Sequence, residues 1–241
     1  MLSGEICRND SGGGKRCNGY FSKWRSNGLF DSILDALHLR LDQEGKIDWD
    51  LWCIDGTSIR GTLGPPPARQ KSTTMHPEEP TDHGLGRSRG GFGSKFHILV
   101  DGNGTPLEAE VTAGQVHDSQ QLEPVLKKAR VKRKRGRPKS RPKQLAGDKA
   151  YSSETIRSFL KDRGVEPIIP HKDNEKARHD PNVKFDKETY KRRSIVEQVI
   201  GWLKECRRIG TRFEKLAINF LAMVKLAMIK RTLRLVFSNR A

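Results

Sequence analysis

The chain has 241 residues, with 46 lysines and arginines against 29 aspartates and glutamates and a formal net charge of +17. That length buries a real core in one large domain or two small ones, and so large an excess of positive charge names a polyanion as partner, nucleic acid ahead of an anionic membrane surface. The most apolar stretch, residues 216–237, is interrupted by Lys225, Lys230, Arg231 and Arg234 and falls short of the roughly 20 clean apolar residues a membrane crossing needs, and the first 17 residues hold no apolar signal core. Four cysteines without C-x-x-C spacing fit reduced thiols in a cytoplasmic protein and argue against a zinc site.

Residues 1–18 include the glycine-rich SGGGKR and read as a disordered tail. In 19–45, Phe21, Trp24, Leu29, Phe30, Ile33, Leu34 and Leu37 recur at helical spacing about an RSNG turn, which predicts a small helical hairpin. The period then changes. DLWCIDGTSIR (50–60) is an apolar run followed by alternation, the pattern of a strand buried on both faces. A Gly/Pro/Ser-rich excursion follows, expected to be mobile over 64–93, before SKFHILVD and PLEAEVTAG flank the turn GNGT as a hairpin.

A short helix is expected at 118–129 with Asp118 as its N-cap, then a very basic mobile loop over 127–143. KQLAGDKAY (143–151) reads as an interior strand, SSETIRSFLKDRG as a helix ended by Gly164, and VEPIIP as a short strand. Polar coil leads to a helix at 190–204 and a second long helix to the end. Three antiparallel strands followed by alternating helix and strand is the ribonuclease-H-like order: an α/β mixed sheet flanked by helices, here with a short N-terminal helical segment.

In so basic a chain, carboxylates in apolar strands need partners, because burying an unpaired charge is costly. Asp55 follows LWCI and Asp148 follows QLAG. Each alone also reads as a strand-end turn residue, and the Asp-Gly pair at 55–56 favours that for Asp55. On the late helix, Tyr190, Arg193, Glu197 and Lys204 follow one another at spacings of three, four and seven. They form one stripe beside the apolar seam of Val196, Val199, Ile200 and Leu203. By itself that stripe is an ordinary solvated face with an Arg193–Glu197 pair. Three carboxylates converging outside a sheet would instead suit magnesium, with manganese able to substitute. Two such ions about 3.5–4 Å apart clamp an in-line phosphoryl transfer.

These segments resemble a DDE transposase of the insertion-sequence-5 family. CIDGTSIR is similar to its first-aspartate block, QVHDSQQLEPVL to the segment between the sheet halves, and LAGDKAYSSETIR to its second-aspartate block. YKRRSIVEQVIGWLKECRR fits Tyr-x2-Arg-x3-Glu-x6-Lys without a gap, and RRIGTRFEKLAINFLAMVKLAMI continues in kind. The resemblance implies a catalytic triad of Asp55, Asp148 and Glu197 holding two magnesium ions, with Tyr190, Arg193 and Lys204 gripping DNA around the scissile bond. It also implies cleavage of the element's terminal inverted repeats and joining of 3′-hydroxyls to target DNA. Further implications are a homodimer on paired ends and a bacterial, nucleoid-associated location. The catalytic domain would span 46–241, with 19–45 a partial DNA-binding segment.

Two basic runs add candidate DNA contacts. Residues 127–143 contain Arg135-Gly136-Arg137-Pro138, the core of an AT-hook. Phosphate contact, insertion into a narrow A·T minor groove and an idle solvated loop are all open to it. GRSRGGFGSK offers Arg87, Arg89 and Lys95, for phosphate contact or for solubility. His117 beside Asp118 reads as a polar neighbour of a helix cap rather than a metal pair. The family's members carry a longer helical N-terminal region than the one seen here. A frameshifted pair, a truncated element and a misassigned start each account for this. A non-catalytic DNA-binding remnant that regulates the full enzyme, or a structure-selective nuclease of the same fold, are the competing functions.

Overall fold

Leu51, Trp52, Cys53 and Ile54 are all fully buried, as expected of a strand with neighbours on both edges and helices on both faces. In this computed structural model, which describes residues 13–62, 77, 79–88, 90–172 and 185–237, they open the central strand β1 (Leu51–Gly61). Alternation sends Leu51 and Cys53 to one face and Trp52 and Ile54 to the other.

On one edge of β1 lies β3 (Gly91–Asp101), antiparallel, and beyond it β4 (Pro106–Ala113). On the other edge lie β5 (Gln144–Ala146) and β6 (Glu166–Ile168), both parallel to β1. The order β4-β3-β1-β5-β6, three strands antiparallel and the rest parallel, is the ribonuclease-H-like sheet. Short β2 (Gly86–Ser88) pairs with β3, and β7 (Thr211–Arg212) pairs with the end of β1. The β3–β4 turn is held by the Asp101 carboxylate, which accepts the backbone N–H groups of Asp48, Asn103 and Thr105.

One sheet face packs on α2 (Leu29–Gln43), α6 (Ser194–Lys204) and α8 (Ala217–Phe237), through Phe30, Leu34, Val196, Val199, Leu203 and Phe220. The other packs on α3 (Ser119–Lys128) and α4 (Glu154–Asp162), through Leu122, Val125, Leu126, Ile156 and Leu160. Among the described residues no helix is long and apolar enough to cross a membrane.

Several elements depart from expectation. Helix α1 (Gly13–Ser26) begins inside the stretch read as a tail. Its second half is anchored by Phe21 on Phe30 and by Arg25 on Asn219, and an anchored turn propagates a helix cheaply, even into glycine. Residues 1–12 lie outside the described part, as do 63–76 of the long excursion. The excursion's return is built into the fold: both Glu79 oxygens accept the first N–H groups of α8, Ala217 and Ile218, at 2.8 and 3.0 Å. Beside it, buried Arg212 donates to the carbonyls of His83, Gly84, Glu214 and Lys215.

The strand expected over 143–151 is only three residues long, because the chain leaves the sheet at Gly147 and tightens into a 3-10 turn over Lys149–Tyr151. The helix expected over 190–204 is two pieces, α5 (Lys187–Lys191) and α6, with α7 (Arg207–Gly210) following. Between α5 and α6, Arg193, Ile195 and Val196 donate to the carbonyls three residues back rather than four, a tighter winding that re-aims the chain at Arg193.

Candidate active site

The last rung between the parallel strands pairs Cys53 with Ala146. Asp55 and Asp148 each stand two residues past it, so the two carboxylates leave the sheet at the same end. There the strands diverge. β1 continues, with Asp55 opposite Ile98 of β3, so the Asp-Gly pair is mid-strand and makes no turn. β5 stops, and the Asp148 side chain accepts the Ala150 N–H at 2.9 Å, capping the 3-10 turn.

Helix α6 supplies the third carboxylate. Its seam of Val196, Val199, Ile200 and Leu203 is buried on the sheet, which leaves Glu197 beside the seam with its side chain 54% exposed. Arg193 joins the two elements. Its Nη1 lies 3.3 Å from Asp55 Oδ2, and its Nη2 donates to Glu197 Oε1. The guanidinium stands 5.6 Å from the Tyr190 ring centroid, and that ring meets Phe185 edge-on.

Burial raises the pKa of Asp55, and the charges of Asp148 and Glu197 add to it against the Gly56 N–H and Arg193. A buried carboxylate beside two like charges is relieved by any further cation. Burial works to lower the pKa of Arg193, but Tyr190, Glu197 and Asp55 outweigh it and raise it. The oxygen donors of Asp55, Asp148 and Glu197 fit a hard divalent ion. Among the described residues, however, no three such side chains stand at ligating distance as placed, and Arg193 lies between Asp55 and Glu197.

Behind Asp55, on the α3 side of β1, is a polar cluster that sequence reasoning missed. Asp118 occupies the N-cap position of α3 but makes no capping bond. Its Oδ1 is 3.3 Å from Lys95 Nζ and 3.4 Å from His97 Nδ1, the latter without hydrogen-bond alignment. A Cβ on Gly56 would fall inside this carboxylate and 3.0 Å from His97 Nδ1, which is why glycine follows Asp55. Burial pushes the His97 imidazole down to about 4, against the pull of Asp118, and its Nε2 pairs with Thr112 Oγ1 at 2.9 Å. Tyr151 is fully buried with its hydroxyl unpartnered. Burial raises that hydroxyl's pKa, as do the charges of Asp118, Asp55 and Asp148. A lone histidine in the apolar run SKFHILVD was the one signal of this cluster.

The structure thus gathers Asp55, Asp148, Glu197, Arg193 and Tyr190, and does not gather the remaining candidates. Lys204 ends α6 seven residues beyond Glu197, with burial alone lowering its pKa. Lys95 turns inward to Asp118 and to the Val116 carbonyl at 2.9 Å. Arg87 is exposed on β2, and Arg89 lies outside the described residues. Arg135 and Arg137 are exposed in the loop before β5. The His117 Nδ1 meets the hydroxyl and the N–H of Ser119, the part of a polar neighbour at a helix start.

A family model described as the transposase DDE domain matches residues 50–229. The chain belongs to that family. The matched span of this DDE-domain chain opens at the first strand and closes within α8, so it takes in all three carboxylates. The proposed transposase for insertion sequence element IS402 of Burkholderia cepacia is 38% identical over 135 residues, 56% of this chain and 60% of that protein. The chain thus matches less than two thirds of that relative's length. Among solved structures, the Mos1 strand transfer complex is similar at 15% identity and a TM-score of 0.28, over 87% of this chain and 60% of that one. The Mos1 mariner paired-end complex with Mn is similar at 16% identity and a TM-score of 0.29, over 86% and 61%.

Proposed function

We propose that this DDE-domain chain is the catalytic part of an insertion-sequence transposase of the insertion-sequence-5 type. It would cut DNA at the ends of a mobile element and transfer the 3′-hydroxyls to target DNA. The observation that carries the reading is Arg193, which ties Asp55 of the first strand to Glu197 of the late helix next to Asp148. The uninterrupted Tyr-x2-Arg-x3-Glu-x6-Lys pattern supports the family type. Residues 46–241 form the catalytic domain in this reading, 19–45 a partial DNA-binding segment, and the working unit is a dimer on paired ends.

Asp55, Asp148 and Glu197 would hold magnesium or manganese. Bound there, such ions would activate the attacking oxygen and stabilise the leaving one. The chain's own part is to set those carboxylates. Arg193 holds Glu197 toward Asp55, and its guanidinium would meet a phosphate oxygen entering between them. The Ala150 N–H fixes the Asp148 rotamer. Asp118 and His97 fill the space over Gly56 and so fix the strand beneath Asp55.

The test is magnesium-dependent nicking and strand transfer on labelled DNA carrying the element's ends, comparing wild type with Asp148→Ala and Glu197→Ala. Products that both substitutions abolish support the transposase. Equal DNA binding by all three proteins with no product from any would sink it in favour of a DNA-binding regulator.

A further inference from the structure

The basic run between α3 and β5 is pinned at its base as a finger. Val131 and Lys139 exchange both backbone hydrogen bonds, at 2.7 and 2.9 Å, and close its base. Val131 is buried against Leu41, Ile47 and Val236, and the Lys139 ammonium sits 3.8 Å from the Trp49 ring centroid. From this base residues 132–138 project into solvent, turning at Gly136 with φ +86°. Five of those seven are lysine or arginine. Lys132 pairs with Asp35, while Arg133, Lys134, Arg135 and Arg137 meet no carboxylate among the described residues. Beside the finger runs an open groove of about 570 Å³, whose cations are Arg133, Arg137, Lys139, Arg141 and Arg163.

The position of this surface separates it from the chemistry. Lys143 donates its N–H to the Trp49 carbonyl and its ammonium to Asp50, so the finger is rooted where β1 and β5 enter the sheet. Asp55 and Asp148 stand at the other end of the β1–β5 pairing, where the two strands part. Five residues of β1, at about 3.3 Å each, put roughly 17 Å between the two ends. A ligand centred on the carboxylates therefore meets the finger only if it is long.

We propose that the finger 131–139 and its groove form a second DNA site, gripping the phosphate backbone of a duplex away from the scissile bond. The choice of DNA as the polyanion rests on the transposase reading, and the density of unpaired cations rests on nothing but the fold. Pinned at its base, the finger has less backbone freedom to lose on binding than an equally charged loose tail.

The experiment is fluorescence anisotropy of a labelled duplex three helical turns long, with metal chelated, over a series of salt concentrations. It compares wild type, R133Q/R135Q/R137Q, and the charge-matched control R60Q/K161Q/K230Q, which lies outside both the finger and the 19–45 segment. All six positions are exposed, so unchanged thermal midpoints are expected. The finger variant should bind about ten-fold more weakly, with a log–log salt slope shallower by about 2.7, from three lost contacts at about 0.9 each. The control should lose less than half of that slope. An unchanged slope for the finger variant, or equal losses in both variants, overturns the site, and tighter binding of wild type to duplex RNA overturns DNA as its ligand. Finger-dependent binding by a wild type that yields no metal-dependent product would defeat the transposase reading and leave the finger standing.

Discussion

Arg193 reaches Asp55 across 138 residues of sequence, 3.3 Å from its Oδ2, while closing on Glu197 four residues ahead of itself. One guanidinium therefore serves two carboxylates that belong to the first strand and a late helix. Arg193→Lys keeps the charge and loses the fork that spans both. It should lower single-turnover nicking by about 100-fold, the scale of removing one fixed charge-stabilising donor. Duplex binding with metal chelated should stay within about three-fold, since one contact among many is lost. Full activity of Arg193→Lys would show that the bridge is incidental.

Gly56 is a packing constraint rather than a turn residue. Gly56→Ala drives a methyl into Asp118 and should cost about 1–3 kcal/mol, read from chemical denaturation. Asp118→Ala opens that space, so the double variant should recover part of the loss, and a double-mutant cycle should give a coupling of about 1 kcal/mol. Strictly additive losses would contradict the contact.

Glu79 caps α8 through both of its oxygens from inside a buried site. Glu79→Ala leaves the N–H groups of Ala217 and Ile218 unmet and should cost about 2 kcal/mol or more. Hydrogen exchange at those two amides should accelerate well beyond that of mid-helix amides such as Val224.

The order of strands and the apolar seam of α6 were legible because each rests on a local period, whereas the three carboxylates were singled out together only through the family resemblance. What joins them was not. The Arg193–Asp55 contact exists only once α6 packs on β1, and the nest of Asp118, His97 and Tyr151 only once β1, β3, α3 and the turn after β5 come together. Asp118 read as a cap because caps are local, and tertiary packing gave its carboxylate other partners. The same limit hid Glu79: a carboxylate in a Pro/Gly-rich excursion carries no sign of the helix it caps 138 residues on. The basic finger was visible as charge, but its rooting depended on Trp49 and Val131, neither of them basic.

Glu108 on β4 is a source of pH-dependent stability. Burial pushes its carboxyl from an ordinary 4.5 up to about 7, over the opposing Ala109 N–H and Lys225. Below about pH 4.5 both folded and unfolded chains hold the proton, so Glu108 costs nothing. As pH rises toward 7 the unfolded chain ionises first, and stability falls before levelling off above 7. Glu108→Gln should therefore match wild type near pH 4 and be more stable at pH 8 by up to about 3.5 kcal/mol, at about 1.4 kcal/mol per unit. Urea denaturation at the two pH values checks it.

The edge of β1 is completed by segments made at very different times. Leu51–Cys53 pair with β5, but Arg60 and Gly61 pair with Thr211 and Arg212, and the partner of Asp55 is Arg193. While the ribosome is still translating the middle of the chain, the first aspartate has neither its arginine nor the cover of α6. The candidate site is thus among the last parts to form during synthesis. Under the transposase reading, a nascent chain released before α6 has emerged would lack Arg193 and Glu197 of the site, and also Val236, against which the base of the basic finger packs.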